Sequence, residues 1–165
     1  MGAQTGPMSA DLAAPGPVPT VPARAGSRAT AVLLAAVVLA LVAAATWFAW
    51  LGWDDEYHVV DGEQQGPYRA WQVVGAGLTL VVATALAQLR ARTGWAVMVL
   101  PAAATLGFAV PWSVHAAATD DSGLFLVGAV LLVIGAGVGL SLVAMVTYFL
   151  QRAVHPTTQG PVRRS

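Results

Sequence analysis

Residues 52–71 read GWDDEYHVVDGEQQGPYRAW, an acidic, polar segment with a tryptophan near each end. It separates two long apolar runs, 29–51 and 70–89, that hold no Asp, Glu, Lys or Arg. The carboxylates Asp54, Asp55, Glu56, Asp61 and Glu63 belong in water, whereas uncharged stretches of this length are at home in hydrocarbon. Once the loop is put on one face of a bilayer, nearly every other charge in the chain falls to a definite side.

The composition points the same way. Of 165 residues, 57% are hydrophobic and 10% are charged, with a mean hydropathy of +0.68. A soluble domain carries about 25% charged residues, so this chain has too few ionic groups to solvate a globule of its size. Arginine supplies every basic side chain, and the 8 basic and 8 acidic residues cancel. The signs are nevertheless segregated along the chain, and that distribution carries the information. There is no cysteine. Disulfides, thiolate metal sites, thiol acylation and the dithiol chemistry of small four-helix disulfide-shuttling enzymes are thereby excluded.

Four spans are expected, giving an all-α polytopic membrane protein with its transmembrane helices in an up-down bundle. The first, 29–51, rises about 34 Å as a helix, enough for a hydrocarbon core of about 30 Å. Ala43-Ala44-Ala45 imitates a signal-peptidase site, but the apolar run continues past it into Trp47, Phe48 and Trp50. The span therefore reads as an uncleaved anchor. Residues 1–28 form a Pro/Ala/Gly-rich tail expected to be disordered. Pro67 suits the first turn of the second span, 70–89. The link Arg90-Ala91-Arg92-Thr93-Gly94 is short, so the second and third spans are expected to be antiparallel neighbours. The third span, 95–115, contains Pro101 and Pro111, and a kink is expected at Pro111. Asp121 or Ser122 is the expected cap of the fourth span, 124–150, which is long enough to need tilt. Residues 29–152 thus make one transmembrane domain, and 153–165 a short basic tail.

With the N-terminus in the cytoplasm, Arg24, Arg28, Arg90, Arg92, Arg152, Arg163 and Arg164 lie inside and only Arg69 outside. That asymmetry is a strong positive-inside signal, placing both termini in the cytoplasm of a bacterial plasma-membrane protein. Aromatic residues agree. Trp47, Trp50, Trp53, Tyr57, Tyr68, Trp71, Trp112 and Phe125 gather at the outer level, with Trp95, Tyr148 and Phe149 at the inner one, as interfacial belts do.

Candidate chemistry is sparse. The spans lack the intramembrane carboxylate on which small multidrug exporters rely, which argues against a carrier of that kind. Outside, Asp54, Asp55, Glu56, His58, Asp120 and Asp121 form an acidic cluster with the composition of a cation site, but the ligand order of a calcium loop is missing. A solvated acidic surface is the better reading, and no metal is assigned. His58 and His115 are read likewise as polar surface rather than acid sensors. No nucleophile–base constellation, phosphate-cradling glycine loop or HExxH motif is present, so neither an enzyme, a cofactor nor a nucleic-acid partner is expected.

Small residues suggest where helices meet. Gly135 and Gly139 form a GxxxG pair in the fourth span, Gly75 and Thr79 repeat the spacing in the second, and Ala36, Ala40 and Ala44 do so in the first. Packing within one bundle is the favoured use of these faces, ahead of a homo-oligomer or a membrane-protein partner. On that reading Gly139→Leu destabilises the protein.

Gly66-Pro67-Tyr68-Arg69-Ala70-Trp71-Gln72-Val73-Val74-Gly75 resembles a segment of small four-span actinobacterial membrane proteins that share a GPYxxWQVVG-like entrance to their second span. The resemblance implies location and layout, with no activity attached. In it, Tyr68 and Trp71 sit at the interface, and the Gln72 amide either meets a partner or bonds the loop backbone. The expected role is a non-enzymatic accessory or envelope protein whose outer loops meet a partner. The alternative is a small transporter or channel subunit acting as an oligomer.

The absence of native thiols allows a direct topology test. Single cysteines at Glu56 and Ser122 should react with an impermeant maleimide in intact cells, while cysteines at Thr93 and Thr158 should stay unlabelled. The opposite pattern would invert the orientation.

Overall fold

The structure, a computed structural model, describes Gly2 and residues 23–53, 58–60, 63–65, 68–120 and 123–154. Asp54, Asp55, Glu56, Asp61 and Asp121, the side chain of His58 and nearly all of both tails lie outside the described residues.

Four helices account for the apolar runs: α1 (Ala23–Trp50), α2 (Ala70–Ala91), α3 (Ala96–Thr119) and α4 (Phe125–Val154). Each is long and apolar enough to cross a membrane. A helix satisfies its own backbone donors and acceptors, the condition any spanning segment must meet in lipid. Between α1 and α2 lies a two-stranded antiparallel hairpin that the sequence reading did not anticipate. Its strands are β1 (His58–Val60) and β2 (Glu63–Gln65), with Val60 opposite Glu63.

The helices extend beyond the expected spans. α1 begins at Ala23, so its first turns carry Arg24 and Arg28, and the end of the stretch expected to be disordered is helical. α3 runs through Pro101 and Pro111 to Thr119 as one helix. The link after α2 begins with Arg92 in the left-handed region, φ 51°, its N–H donating to Gln88 O at 3.2 Å. Before α4, Gly123 takes φ +74°, a conformation that suits a residue without a Cβ. Asp120 Oδ2 accepts the Phe125 N–H there at 2.7 Å, while Asp121 and Ser122, the expected caps, lie outside the described residues. A carboxylate at that point also meets the positive end of the helix dipole.

Pairing of the helices departs from chain order. α1 packs most extensively on α3 and α3 on α4, whereas the consecutive pair α2 and α3 touch least and α1 does not meet α4 among the described residues. α2 and α3 are therefore not the close neighbours that a short link suggests; they face one another across the bundle. Close packing explains the preference. A Cβ built on Gly107 of α3 would stand 2.7 Å from Ala40 Cα of α1, so the two backbones are in contact. Around that point Ala36, Ala43, Ala104 and Leu100 are buried. Without a hydrophobic gradient to drive association in lipid, such small-residue contact supplies the van der Waals energy that joins helices.

Contacts at the ends sort the termini. Trp47 and His115, both late in their helices, have ring centroids 5.4 Å apart. Trp50 sits on Gly75 near the start of α2, and Trp112 on Gly128 near the start of α4. At the other end Gln151 Nε2 donates to Leu89 O at 2.8 Å, and Gly94 lies beside the Tyr148 hydroxyl.

The small residues divide between inside and outside. Gly75 accommodates the Trp50 ring, while nothing lies within 4 Å of a Cβ built on Gly135 or Gly139. The GxxxG pair is on the exposed face of α4, whose only buried residues are Leu140 and Ala144. Packing within the chain is therefore not what Gly135 and Gly139 do, and the expectation for Gly139→Leu reverses. Gly107→Val should lower stability by about 1–3 kcal/mol through overpacking, whereas Gly139→Leu should leave the monomer unchanged. Melting of both variants in detergent, at a concentration where the protein is monomeric, checks the pair.

Candidate functional site

Chemistry-bearing side chains collect in two places, a polar seam inside the bundle and a cavity at the arginine end. The seam is built mainly by α2. Its buried positions are Gln72, Ala76, Leu80, Thr84 and Gln88, a repeat of four that keeps one stripe facing inward. Gln72, Thr84 and Gln88 are fully enclosed.

Gln72 closes the entrance to the helix. Its Oε1 accepts the Arg69 N–H at 2.6 Å, satisfying one of the donors a helix start leaves over. Of the two uses considered for this amide, the structure shows the bond to the loop backbone. At the far end of the stripe, Gln88 Nε2 reaches Thr93 O at 3.4 Å, leaving Gln88 Oε1 without a partner. The hydroxyls of Thr84, Thr93 and Thr105 and the indole N–H of Trp47 are likewise buried without a hydrogen bond. Other helix hydroxyls bond back to the preceding turn: Thr46 to Val42 O and Thr79 to Gly75 O at 2.8 Å each, Thr147 to Val143 O at the same distance.

Trp47 departs from the expected aromatic belt. It is only 3% exposed, and its ring meets Phe48 and His115. Trp53, Trp71 and Trp95 are exposed, as belt residues are. His115, read from sequence as loop surface, is half-buried on α3. Asp120 is occupied at the start of α4. Among the described residues, no three His, Asp or Glu side chains come together as a metal site.

The second feature is a cavity of about 510 Å³ between the first turns of α1 and the link after α2. Arg28, Arg90, Arg92 and Thr93 line it, with Val32 and Ala35 forming its apolar wall. All three arginines are exposed, and among the described residues none of their guanidinium groups bonds to another group. Arg152, at the same end, instead lies over the Tyr148 ring at 5.1 Å. Each arginine was read from sequence for its side of the membrane, not for a shared cavity. The missing signal was the early start of α1, which brings Arg28 level with the link.

The chain matches no family profile, no curated protein and no solved structure.

The seam yields opposite expectations at two buried positions. Gln72→Leu strips the Arg69 N–H of its acceptor and should lower stability by about 1–3 kcal/mol, while Thr84→Val removes an unpartnered hydroxyl and should be neutral or stabilising by about 1 kcal/mol. Denaturation of both variants in one detergent would show the sign difference.

Proposed function

We propose that the chain is a multi-pass protein of the bacterial plasma membrane, an up-down four-helix bundle with both termini in the cytoplasm. On this reading it acts without catalysis, as an accessory or envelope protein whose outer loops meet a partner. The seven-to-one arginine asymmetry supports the orientation. The GPYxxWQVVG-like segment supports kinship with small actinobacterial four-span proteins.

One observation supports the non-catalytic role above others. Among the described residues, every buried polar side chain in the bundle other than the Trp47 indole is a threonine or a glutamine. Such groups hydrogen-bond and fix helix register, but they neither transfer protons near neutral pH nor pair with an ion as an intramembrane carboxylate does. What the chain offers to a partner is then its outer surface, where the acidic loop and the exposed Trp53 and Trp71 lie together in sequence.

A second reading, an oligomeric channel or transporter subunit, draws on a different observation. The exposed Gly135 and Gly139 lie on the least buried of the four helices, where a close helix contact with another chain has room to form.

Affinity purification after mild solubilisation should recover one recurring membrane or envelope protein, and replacing residues 54–65 with a Gly/Ser linker should abolish it. Protein-dependent solute flux in liposomes without such a partner would favour the channel subunit. Neither partner nor flux would sink both.

A further inference from the structure

The arginine-lined cavity plays no part in that reading. We propose that it binds a phosphate group, the phosphodiester of an anionic phospholipid in the adjacent leaflet being the nearest source. The proposal rests on the membrane assignment for where the lipid comes from, but not on which face of the membrane the cavity occupies.

Shape comes first. About 510 Å³ is within the range of small-molecule sites. Its lining is mixed, with Val32 and Ala35 of α1 beside the arginines Arg28, Arg90 and Arg92. A phospholipid presents the same mixture, with acyl chains and glycerol followed by a phosphate. Basic pockets between helices at the membrane surface are where anionic headgroups are held.

Charge comes second. Arg28 from α1, Arg90 from the last turn of α2 and Arg92 from the link converge on one cavity. Like charges around one opening repel, and a single anion relieves all three pairwise terms at once. Among the described residues no carboxylate does this. Asp120, the one acid whose side chain is described, caps α4 at the opposite end of the bundle. Arginine is also the side chain best fitted to phosphate, since its planar fork of donors matches two oxygens at a time.

The third element is Thr93. Its hydroxyl is buried without a hydrogen-bond partner, and the residue lines the cavity. Arg92 is held in the left-handed region immediately before it, and non-glycine residues adopt that conformation at a cost. At this position a side chain with five donors is kept where glycine or asparagine would suit the backbone better.

The test uses the purified full-length protein in a neutral detergent, titrated by native mass spectrometry with phosphatidylglycerol or phosphatidylcholine of identical acyl chains. A parallel arm uses inorganic phosphate alone. Phosphatidylglycerol should bind about tenfold or more tightly than phosphatidylcholine, and Arg28→Gln, Arg90→Gln and Arg92→Asn should each weaken it about fivefold. Asn is chosen at 92 because it tolerates positive φ. Arg152→Gln, outside the cavity, should leave the preference intact. Lipid binding without phosphate binding assigns the site to a headgroup. Phosphate binding with the same arginine dependence, and no gain from the lipid, assigns it to a free anion; both outcomes support the cavity. Equal binding of the two lipids with no phosphate binding, or an Arg152→Gln loss as large as that of Arg90→Gln, would overturn it. Circular dichroism separates lost binding from lost folding, and any one of the three variants that folds suffices. An inverted labelling pattern in cells would remove the orientation reading without touching this measurement.

Discussion

The contact of α1 with α3 at Ala40 and Gly107 organises the rest of the bundle. It joins two helices that are not consecutive in sequence, and it joins them backbone to backbone. Once these two are held together, α2 is left to lie against α1 and α4, and α4 against α3, with α2 and α3 sharing the smallest of the helix contacts. Chain connectivity would have favoured another arrangement, in which each helix packs on its successor. Close van der Waals contact prevails because in lipid there is little else to prefer one apolar face over another.

Much of this was legible before the fold was known. Length and freedom from charge located four helices to within a few residues at most ends, since both properties are set by local sequence. The small-residue face of α1, with Ala36 and Ala40, was also readable, and it lies in the tightest interface. Its partner was not. Ala103 and Gly107 do stand four apart, but in a run rich in alanine that spacing does not single them out, and the GxxxG pair that stands out, Gly135 with Gly139, faces away from the bundle. The motif specifies that a helix can be approached closely, not by which neighbour. The hairpin had a signal that was passed over: Asp61-Gly62 between Val59-Val60 and Glu63-Gln64 is a dipeptide favoured in two-residue β-turns.

The interior polar groups were harder to foresee. Gln72, Thr84 and Gln88 read as scattered polar positions in a second span, and only a period of four shows that they share one face. Enclosing them has different consequences along the stripe. Gln72 completes the start of α2, so its burial is offset by a bond that the helix needs. Thr84 and Gln88 retain unpartnered atoms, which makes the other half of the seam the less well satisfied one. That half runs into the link at Thr93, where a further hydroxyl is buried without a partner, in a residue that lines one cavity with Arg28, Arg90 and Arg92.

The two ends of the bundle therefore differ in more than the sign of their charges. At the end where Trp47 meets His115, Trp50 fills the space over Gly75, Trp112 fills that over Gly128, and Asp120 closes the start of α4. Aromatic bulk and a capping carboxylate leave that end packed, although the Trp47 indole N–H is buried there without a partner. The arginine end is closed on one side only, by Gln151 on the Leu89 carbonyl and Arg152 over Tyr148. On its other side α1 and the link after α2 stand apart, and the gap is rimmed with donors that find no acceptor within the described chain. A positive-inside bias alone requires arginines at that level. It does not require three of them to line one concave site, and that convergence is what an anion would complete.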